Sequence, residues 1–313
     1  MNTSWPASVA IFGATGTGKT MLAAALADRL RCHLLSCDAV QIYRDLNVAT
    51  AKPHGDERRH EWALVDAVSA TTHVNAGTWV RLAEAELTWA ASAGRIPIVV
   101  GGTGMYLRAL TKGLVEAPAT DPALRARLER IAARHGVSRL HRVLTRLDPA
   151  TASGLRPSDR QRLIRALEVR VAHGRSLSLM QGGGWRGPDR FRVIRIGLQR
   201  ERAALYRALD QRVARFFDAG LVGETEWLLT RVGLAPEDNA LRAIGYREVA
   251  AWLASTPRGS LTTLIETVQR NTRHYAKRQS TWFRSEPNTC WLDADDPLLV
   301  ESAHQQIVRQ LGL

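Results

Sequence analysis

The chain has 313 residues, 45% of them hydrophobic, enough for one large domain or two unequal ones. Its 43 Lys and Arg outnumber 30 Asp and Glu, and the resulting charge of +13 points to a polyanionic partner, nucleic acid before an acidic membrane surface. Cys32, Cys37 and Cys290 form no CxxC pair, which excludes a disulfide framework or a cysteine metal site; the start MNTSWPASVAIFG is no secretion signal, and no apolar run reaches the ~18 residues of a membrane helix.

In chain order, Val9 to Phe12 reads as a buried strand ending at Gly13, and Lys19 to Leu30 as a helix with Leu22, Leu26 and Leu30 four apart. His33 to Cys37 is a second strand, ending at Asp38 beside the first. Thr78 to Ala93 is helical, stopped by Gly94, and Ile96 to Val100 is a third strand running into Gly101-Gly102. This alternation predicts a parallel sheet with helices packed on it. From about Asp121 to Ala172 the chain reads as Arg-rich helices, closed by a flexible Gly182-Gly183-Gly184 linker. Arg192 to Leu198 returns as a strand. Helices follow over Arg200 to Ala219, Gly223 to Arg231, Leu241 to Leu253, Leu261 to Phe283 and Pro297 to Leu311. The expected fold class is α/β: a P-loop NTPase-like parallel sheet core with helices on both faces, residues 1–119 and 191–313, interrupted by a basic helical insertion domain, residues 120–190.

The charge is clustered. Residues 120–190 hold fifteen Arg against six Asp and Glu, and Val268 to Arg284 carries Arg270, Arg273, Lys277, Arg278 and Arg284 with no acid. A coding bias toward Arg would scatter it, so the clusters favour polyanion binding.

Gly13-Ala14-Thr15-Gly16-Thr17-Gly18-Lys19-Thr20 fits G-x-x-x-x-G-K-[ST] at a strand–helix junction. Its glycines let successive N–H groups point inward, and the helix N-terminus adds a field that favours anions. Lys19 brings a mobile charge to terminal phosphates, and the Thr20 hydroxyl is placed to ligate Mg²⁺. The motif specifies a diphosphate or triphosphate, not a reaction. The Ile96 to Val100 run ends in Gly-Gly-Thr and not in an acid, which argues against an ordinary ATPase.

Further segments narrow the chemistry. Ser36-Cys37-Asp38-Ala39-Val40-Gln41-Ile42-Tyr43 runs on to Thr50-Ala51-Lys52-Pro53. Gly101-Gly102-Thr103-Gly104-Met105-Tyr106 follows the third strand. Asp159-Arg160-Gln161-Arg162-Leu163-Ile164-Arg165-Ala166-Leu167-Glu168 lies in the insertion. Ala243-Ile244-Gly245-Tyr246-Arg247 and Lys277-Arg278-Gln279-Ser280-Thr281-Trp282-Phe283-Arg284 lie in the later helices. Each is weak alone. In this order and spacing, from about Val9 to about Asp293, the chain resembles the tRNA dimethylallyltransferases.

The resemblance implies transfer of a dimethylallyl group from dimethylallyl diphosphate to N6 of the adenosine immediately 3′ of the anticodon. The P-loop would hold the diphosphate with Mg²⁺, and Arg212 matches a family arginine near that group, or is a solvated helix Arg. Asp38 is the family's base for the adenine amine; it could instead cap the following turn or order Mg²⁺-bound water. Thr103 would hydrogen-bond near N6 or the diphosphate, or be a plain turn threonine. The tRNA contacts it implies are Asp38, Ala39, Val40 and Gln41, with Gln41 holding a flipped adenine; Thr103; Arg125 and Gln161 to Arg165; Arg242 to Arg247; and Lys277 to Arg284. Trp282 and Phe283 would stack bases or belong to the core. Departures are Ala39 for the usual Ser, Ala49 for the usual Gly, and Trp62-Ala63-Leu64-Val65-Asp66 for His-His-Leu-Ile-Asp. A monomeric cytoplasmic enzyme with no membrane role is expected. The competing readings are a P-loop small-molecule kinase, an adenylate isopentenyltransferase acting on free nucleotide, and a non-catalytic RNA-binding protein.

Overall fold

The structure, a computed structural model, describes residues 5–114, 121–180 and 188–313. It divides into two compact units, residues 1–111 with 189–313, and residues 112–188.

The larger unit begins with β1 (Ser8–Gly13), α1 (Lys19–Ala27) and β2 (Cys32–Ser36), then β3 (Trp62–Ala63), α2 (Ala76–Ser92), β4 (Ile96–Gly101) and α3 (Gly104–Lys112). The smaller unit is helical: α4 (Pro122–His135), α5 (Val137–Leu147), α6 (Pro149–Ser153), α7 (Arg160–His173) and α8 (Leu177–Met180). The chain then returns through β5 (Val193–Gln199), α9 (Arg202–Asp218), α10 (Leu221–Thr230), α11 (Tyr246–Ala254), α12 (Leu261–Phe283), β6 (Thr289–Asp293) and α13 (Leu299–Leu311).

All six strands are parallel, in the order β3-β2-β4-β1-β5-β6. Alternation along β1 sends Val9 and Ile11 to one face and Ala10 and Phe12 to the other. The first face packs on α1 and α13 through Leu22, Leu26, Ala303 and Ile307. The second packs on α2, α3 and the later helices, with Trp79, Leu110, Val249 and Phe283 buried. Both faces are covered, as a parallel sheet requires.

Four expectations change. β2 does not lie beside β1, because β4 pairs with both and separates them. β3 and β6 were not expected: one has two residues, and the other, TCWLD, shows no long apolar run. The helix expected over Leu241 to Leu253 is a short 3₁₀ turn at Ala240–Arg242 followed by α11, because Gly245 adopts φ 100° and breaks the run. The insertion boundary moves inward at its end: Asp189 and Arg190 fold with the core, where Arg190 N–H donates to the Thr111 carbonyl at 2.7 Å and its guanidinium to Glu84 at 2.7 Å. The Gly182–Gly184 linker lies outside the described residues.

In the insertion, Leu128, Leu140, Leu144, Leu163, Ile164 and Leu167 form one small core. Asp148 caps α6 and accepts from Thr151 and Ser176. Burial alone would raise its pKa, but these hydrogen bonds outweigh it and hold the carboxyl below its ordinary value.

Gly101 ends β4 so close to the β2 turn that a Cβ there would overlap the Cys37 carbonyl oxygen, a backbone atom that cannot swing away. Gly101→Ala is therefore expected to destabilise the core by about 3 kcal/mol or more, read as a lowered urea midpoint with an unchanged slope.

Candidate active site

The site lies at the carboxyl ends of β1, β2 and β4, where open α/β sheets bind ligands. The loop after β1 curls with Gly16 and Gly18 at φ 85° and 76°. Gly18 is the residue before α1, and no side chain caps that helix, so its first N–H groups are open to an anion. The Thr17 hydroxyl donates to Ala14 O at 2.9 Å, closing the loop on itself. Lys19 Nζ folds back onto the same carbonyl at 2.7 Å.

Two later helices reach this loop. Arg212 of α9 donates from Nη1 to Thr15 Oγ1 at 3.0 Å, so the expected arginine does reach the cradle. Burial lowers its pKa to about 10, against the pull of Asp38. Burial also brings Lys19 down to about 8; Asp38 opposes this and the Arg212 charge adds to it. Arg200, not anticipated from sequence, donates to the Gly16 carbonyl at 3.3 Å and holds Asp295 with Nε at 2.9 Å from both carboxylate oxygens.

Asp38 follows β2. Its Oδ1 accepts from Val40 N at 2.8 Å and Gln41 N at 3.2 Å, so the turn-capping role is real. That role uses one oxygen; among the described residues Oδ2 makes no hydrogen bond. Thr103 N donates to Cys37 O at 3.3 Å, tying the turn after β4 to the one after β2. Tyr275 of α12 was missed by sequence reasoning. Its phenol lies near the Thr103 turn, and burial together with the Asp38 charge pushes its pKa well above the ordinary value. Burial beside Asp38 raises the Cys37 thiol similarly, so Cys37 stays protonated.

Several of the residues expected to contact RNA take part in the scaffold. The Gln41 amide is largely engaged in the fold: Oε1 accepts from Ser36 Oγ at 2.7 Å, and Nε2 donates to Ala51 O at 2.7 Å and Thr50 O at 3.3 Å, leaving one acceptor position on Oε1. Tyr246 is buried, its hydroxyl donating to Glu224 at 2.6 Å and accepting from Ala49 N at 3.2 Å. Ala243 and Ile244 pack on the core, and Gly245 abuts the Ala49 side chain. Phe283 is buried and stacks on Phe12 at 4.7 Å. Trp282 packs against Gly104 beneath the Arg108 guanidinium, 4.6 Å from the ring centroid. Gln279 is buried within hydrogen bonds to two site loops. Ala39 and Val40 are half-buried against the core. Arg242, Arg247, Lys277, Arg278, Thr281 and Arg284 are exposed, whereas Ser280 is half-buried and bonds back to Ala276 O.

In the insertion, Leu163 and Ile164 are core. Arg125 and Arg165 converge on buried Glu168 at 3.2 and 3.5 Å, so their charge is spent within the fold. Gln161 and Arg162 are exposed at the start of α7. Two outward rows were not singled out from sequence, Arg127, Arg130 and Arg134 on α4 and Arg139, Arg142 and Arg146 on α5. Each row keeps the i, i+3, i+7 spacing of one helix face, and none of the six is ion-paired among the described residues.

Behind the P-loop lies a cavity of about 450 Å³, lined by Gly13, Ala14, Thr17, Leu198, Phe283 and Trp291 with Arg200, Arg284 and Asp293 at its wall. Lys19, Asp38 and Thr103 are outside it. It shares only the first half of the loop with the chemical site.

Parallel sheet, glycine-rich loop and uncapped helix define a P-loop protein of the α/β class. The IPP transferase family pattern matches residues 41–286, and the isopentenyl transferase pattern matches residues 7–63. The tRNA dimethylallyltransferase of Koribacter versatilis (strain Ellin345) is 40% identical over 307 residues, covering 96% of this chain and 98% of that protein. That of Geobacter sulfurreducens is 41% identical, covering 91% of each. The crystal structure of the full-length tRNA isopentenylpyrophosphate transferase from Bacillus halodurans superposes with a TM-score of 0.72 at 32% identity, covering 98% of this chain and 97% of that one. A eukaryotic dimethylallyltransferase captured acting on tRNA gives a TM-score of 0.79 at 25% identity, covering 96% of this chain and 77% of its own. The chain belongs to the tRNA dimethylallyltransferase family.

A lysine attracts an anion only in its protonated form. With the free pKa of Lys19 near 8, and with a bound anion holding the proton on, binding above that pH must take up a proton. Affinity for pyrophosphate at fixed Mg²⁺ should therefore fall as pH rises from about 7 to about 9, approaching tenfold per unit at the upper end. Lys19→Arg keeps its charge throughout, so titration calorimetry should show a shallower fall. Parallel curves for the two proteins would mean Lys19 does not govern the anion site.

Proposed function

We propose that this chain transfers a dimethylallyl group from dimethylallyl diphosphate to N6 of the adenosine immediately 3′ of the anticodon in tRNA, releasing diphosphate. One observation carries it: Lys19 and Arg212 both reach the loop before an uncapped helix N-terminus, at Ala14 O and Thr15 Oγ1, with Asp38 close enough to shift both pKa values. A polyanion would relieve the cations, and a carboxylate next to it suits an acceptor that must lose a proton. Membership of the family names the acceptor.

As the allylic carbon–oxygen bond breaks, charge gathers on the leaving diphosphate, and the loop N–H groups, Lys19 and Arg212 are preorganised to meet it. The adenine amine is a weak nucleophile because its lone pair is delocalised into the ring. Asp38 Oδ2 would accept a hydrogen bond from N6–H and then the proton, while Val40 and Gln41 hold Oδ1 fixed. Thr103, whose backbone N–H is tied to the Cys37 carbonyl, would orient the same amine. A base stacked in the anticodon loop cannot reach such a site, so it must be flipped out.

Among the described residues no group of three or more His, Cys, Asp or Glu could hold a metal. The Thr20 hydroxyl in the first turn of α1, together with the diphosphate oxygens, would hold Mg²⁺. Bound there, Mg²⁺ would neutralise charge on the leaving group.

The exposed Arg162, Arg242, Arg247, Lys277, Arg278 and Arg284, with the two outward rows on α4 and α5, are the side chains suited to RNA phosphates. No helix among the described residues is long and apolar enough to cross a membrane. The same reading expects a monomeric cytoplasmic enzyme.

Labelled dimethylallyl diphosphate and Mg²⁺ are to be mixed with an anticodon stem-loop carrying adenosine 3′ of the anticodon, the guanosine counterpart, and AMP. Label should enter the adenosine stem-loop alone; label in AMP would move the chain to the free-nucleotide enzymes. Asp38→Ala should lower turnover of bound stem-loop by ~10²–10⁴-fold with little change in RNA affinity. Arg162→Ala should flatten the salt dependence of RNA binding by about one unit of slope. Arg165→Ala strips a partner from buried Glu168, so it should lower thermal stability more than it lowers that slope.

A further inference from the structure

We propose that Gln279 is a positioning residue that sets the spacing between the diphosphate cradle and the acceptor turn, and not an RNA contact. This rests on the reaction proposed above. Ala276 and Phe283, one turn to either side of Gln279 on α12, are both buried, Ala276 beside Ala14 and Phe283 stacked on Phe12. Gln279 is the polar residue in the middle of this apolar face, and it is only 6% exposed. Its Oε1 accepts the Thr15 N–H at 2.9 Å, and its Nε2 donates to the Gly102 carbonyl at 2.8 Å. One partner is in the P-loop and the other precedes Thr103.

The sheet does not make this link. β1 and β4 are neighbours, but their last paired residues are Phe12 and Gly101. Beyond that point the two turns leave the ladder, and the Gln279 carboxamide is a rung between them. Gly102 is required by it, since a Cβ there would collide with Nε2. The bridge also withdraws the Thr15 N–H from the cradle, leaving the diphosphate to the amides from Gly16 onward. In-line displacement needs the amine, the allylic carbon and the leaving oxygen aligned, and a misplacement of about 1 Å costs on the order of 10²-fold in rate.

The test uses full-length Gln279→Leu, which has neither hydrogen-bonding end, and Gln279→Glu, which keeps the length and the acceptor but not the donor. Single-turnover transfer is measured at saturating dimethylallyl diphosphate and stem-loop. Affinities for stem-loop and pyrophosphate, and release of the prenyl alcohol, are measured in parallel. That alcohol forms when water oxygen bonds to the allylic carbon as the carbon–oxygen bond to diphosphate breaks, with the proton passing to solvent.

Transfer should fall ~10- to 100-fold in both variants while both affinities stay within about threefold, and a larger share of the donor should end as alcohol. Transfer equal to wild type would overturn the proposal. So would a loss explained wholly by weaker stem-loop binding, which would return Gln279 to the RNA contacts. If Gln279→Leu lacks a cooperative unfolding transition, Gln279→Glu decides by the same readings. Wild-type protein that modifies no stem-loop would remove the reaction itself, an outcome the variants cannot mimic.

Discussion

Backbone packed directly on backbone at the carboxyl edge of the sheet is the constraint on which the site depends. The strand order puts β4 between β1 and β2, so the P-loop and the Asp38 turn can face one another only across the turn that leaves β4. Any side chain there would stand between them. Gly101 lies against the Cys37 carbonyl and Gly102 against Gln279, and the absence of a Cβ at each lets three loops from three strands close on one volume. A parallel sheet brings all its strand ends to one edge; the two glycines turn that edge into a site.

The electrostatics follow from this closeness. Lys19 and Arg212 lie in a partly desolvated space where both feel the Asp38 charge and Lys19 feels Arg212 as well. Two cations beside one carboxylate leave an excess positive field, and it is aimed where the α1 N-terminus adds its own. Much of the surrounding hydrogen bonding is committed before any ligand arrives: Asp38 Oδ1 to the turn, Thr15 to Gln279 and Arg212, Gly16 to Arg200. What remains uncommitted is a short set of groups, the other loop N–H donors, the N–H groups of Lys19 not given to Ala14 O, and one carboxylate oxygen. In the proposed reaction these are the groups that meet the leaving diphosphate and the incoming amine, and their partners need not rearrange as charge moves.

Features that depend on local backbone chemistry were legible in the sequence. The P-loop and the glycine turn after β4 are written as glycines because no other residue permits those conformations or contacts, and the strands before them as short apolar runs. Strand order was not legible, since nothing in residues 32–36 says that β4 will intervene before β1. Nor was β6, whose five residues include polar Thr289 and Asp293 and owe their strand to pairing with β5. The finer error concerned direction. Tyr246, Gln279, Leu163 and Ile164 stand in segments that resemble functional motifs, yet their side chains point inward. A motif records that a residue type is needed and is silent on whether it touches substrate or supports the residue that does. Phase on the helix separates the two, and it becomes readable once the buried partners are known: Ala276 and Phe283 put Gln279 inside, while Lys277, Arg278 and Arg284 face out.

The same division explains how one chain can join tight geometry to a large and variable substrate. Chemistry at an allylic carbon tolerates little displacement, and the groups suited to it are half-buried and held by hydrogen bonds close to the sheet edge. Gripping a phosphate backbone tolerates much more, because a guanidinium on a long exposed side chain can follow a phosphate over several ångströms while its attraction falls off gradually. Arg127, Arg130 and Arg134 of α4 and Arg139, Arg142 and Arg146 of α5 are of that second kind, outward and without an ion pair among the described residues, whereas Arg125 and Arg165 are drawn inward to hold Glu168 and with it the insertion core. The net charge of +13 is therefore an imperfect guide to binding capacity. Part of the positive charge supports the fold, part shapes the anion site, and only the exposed remainder is available to RNA phosphates.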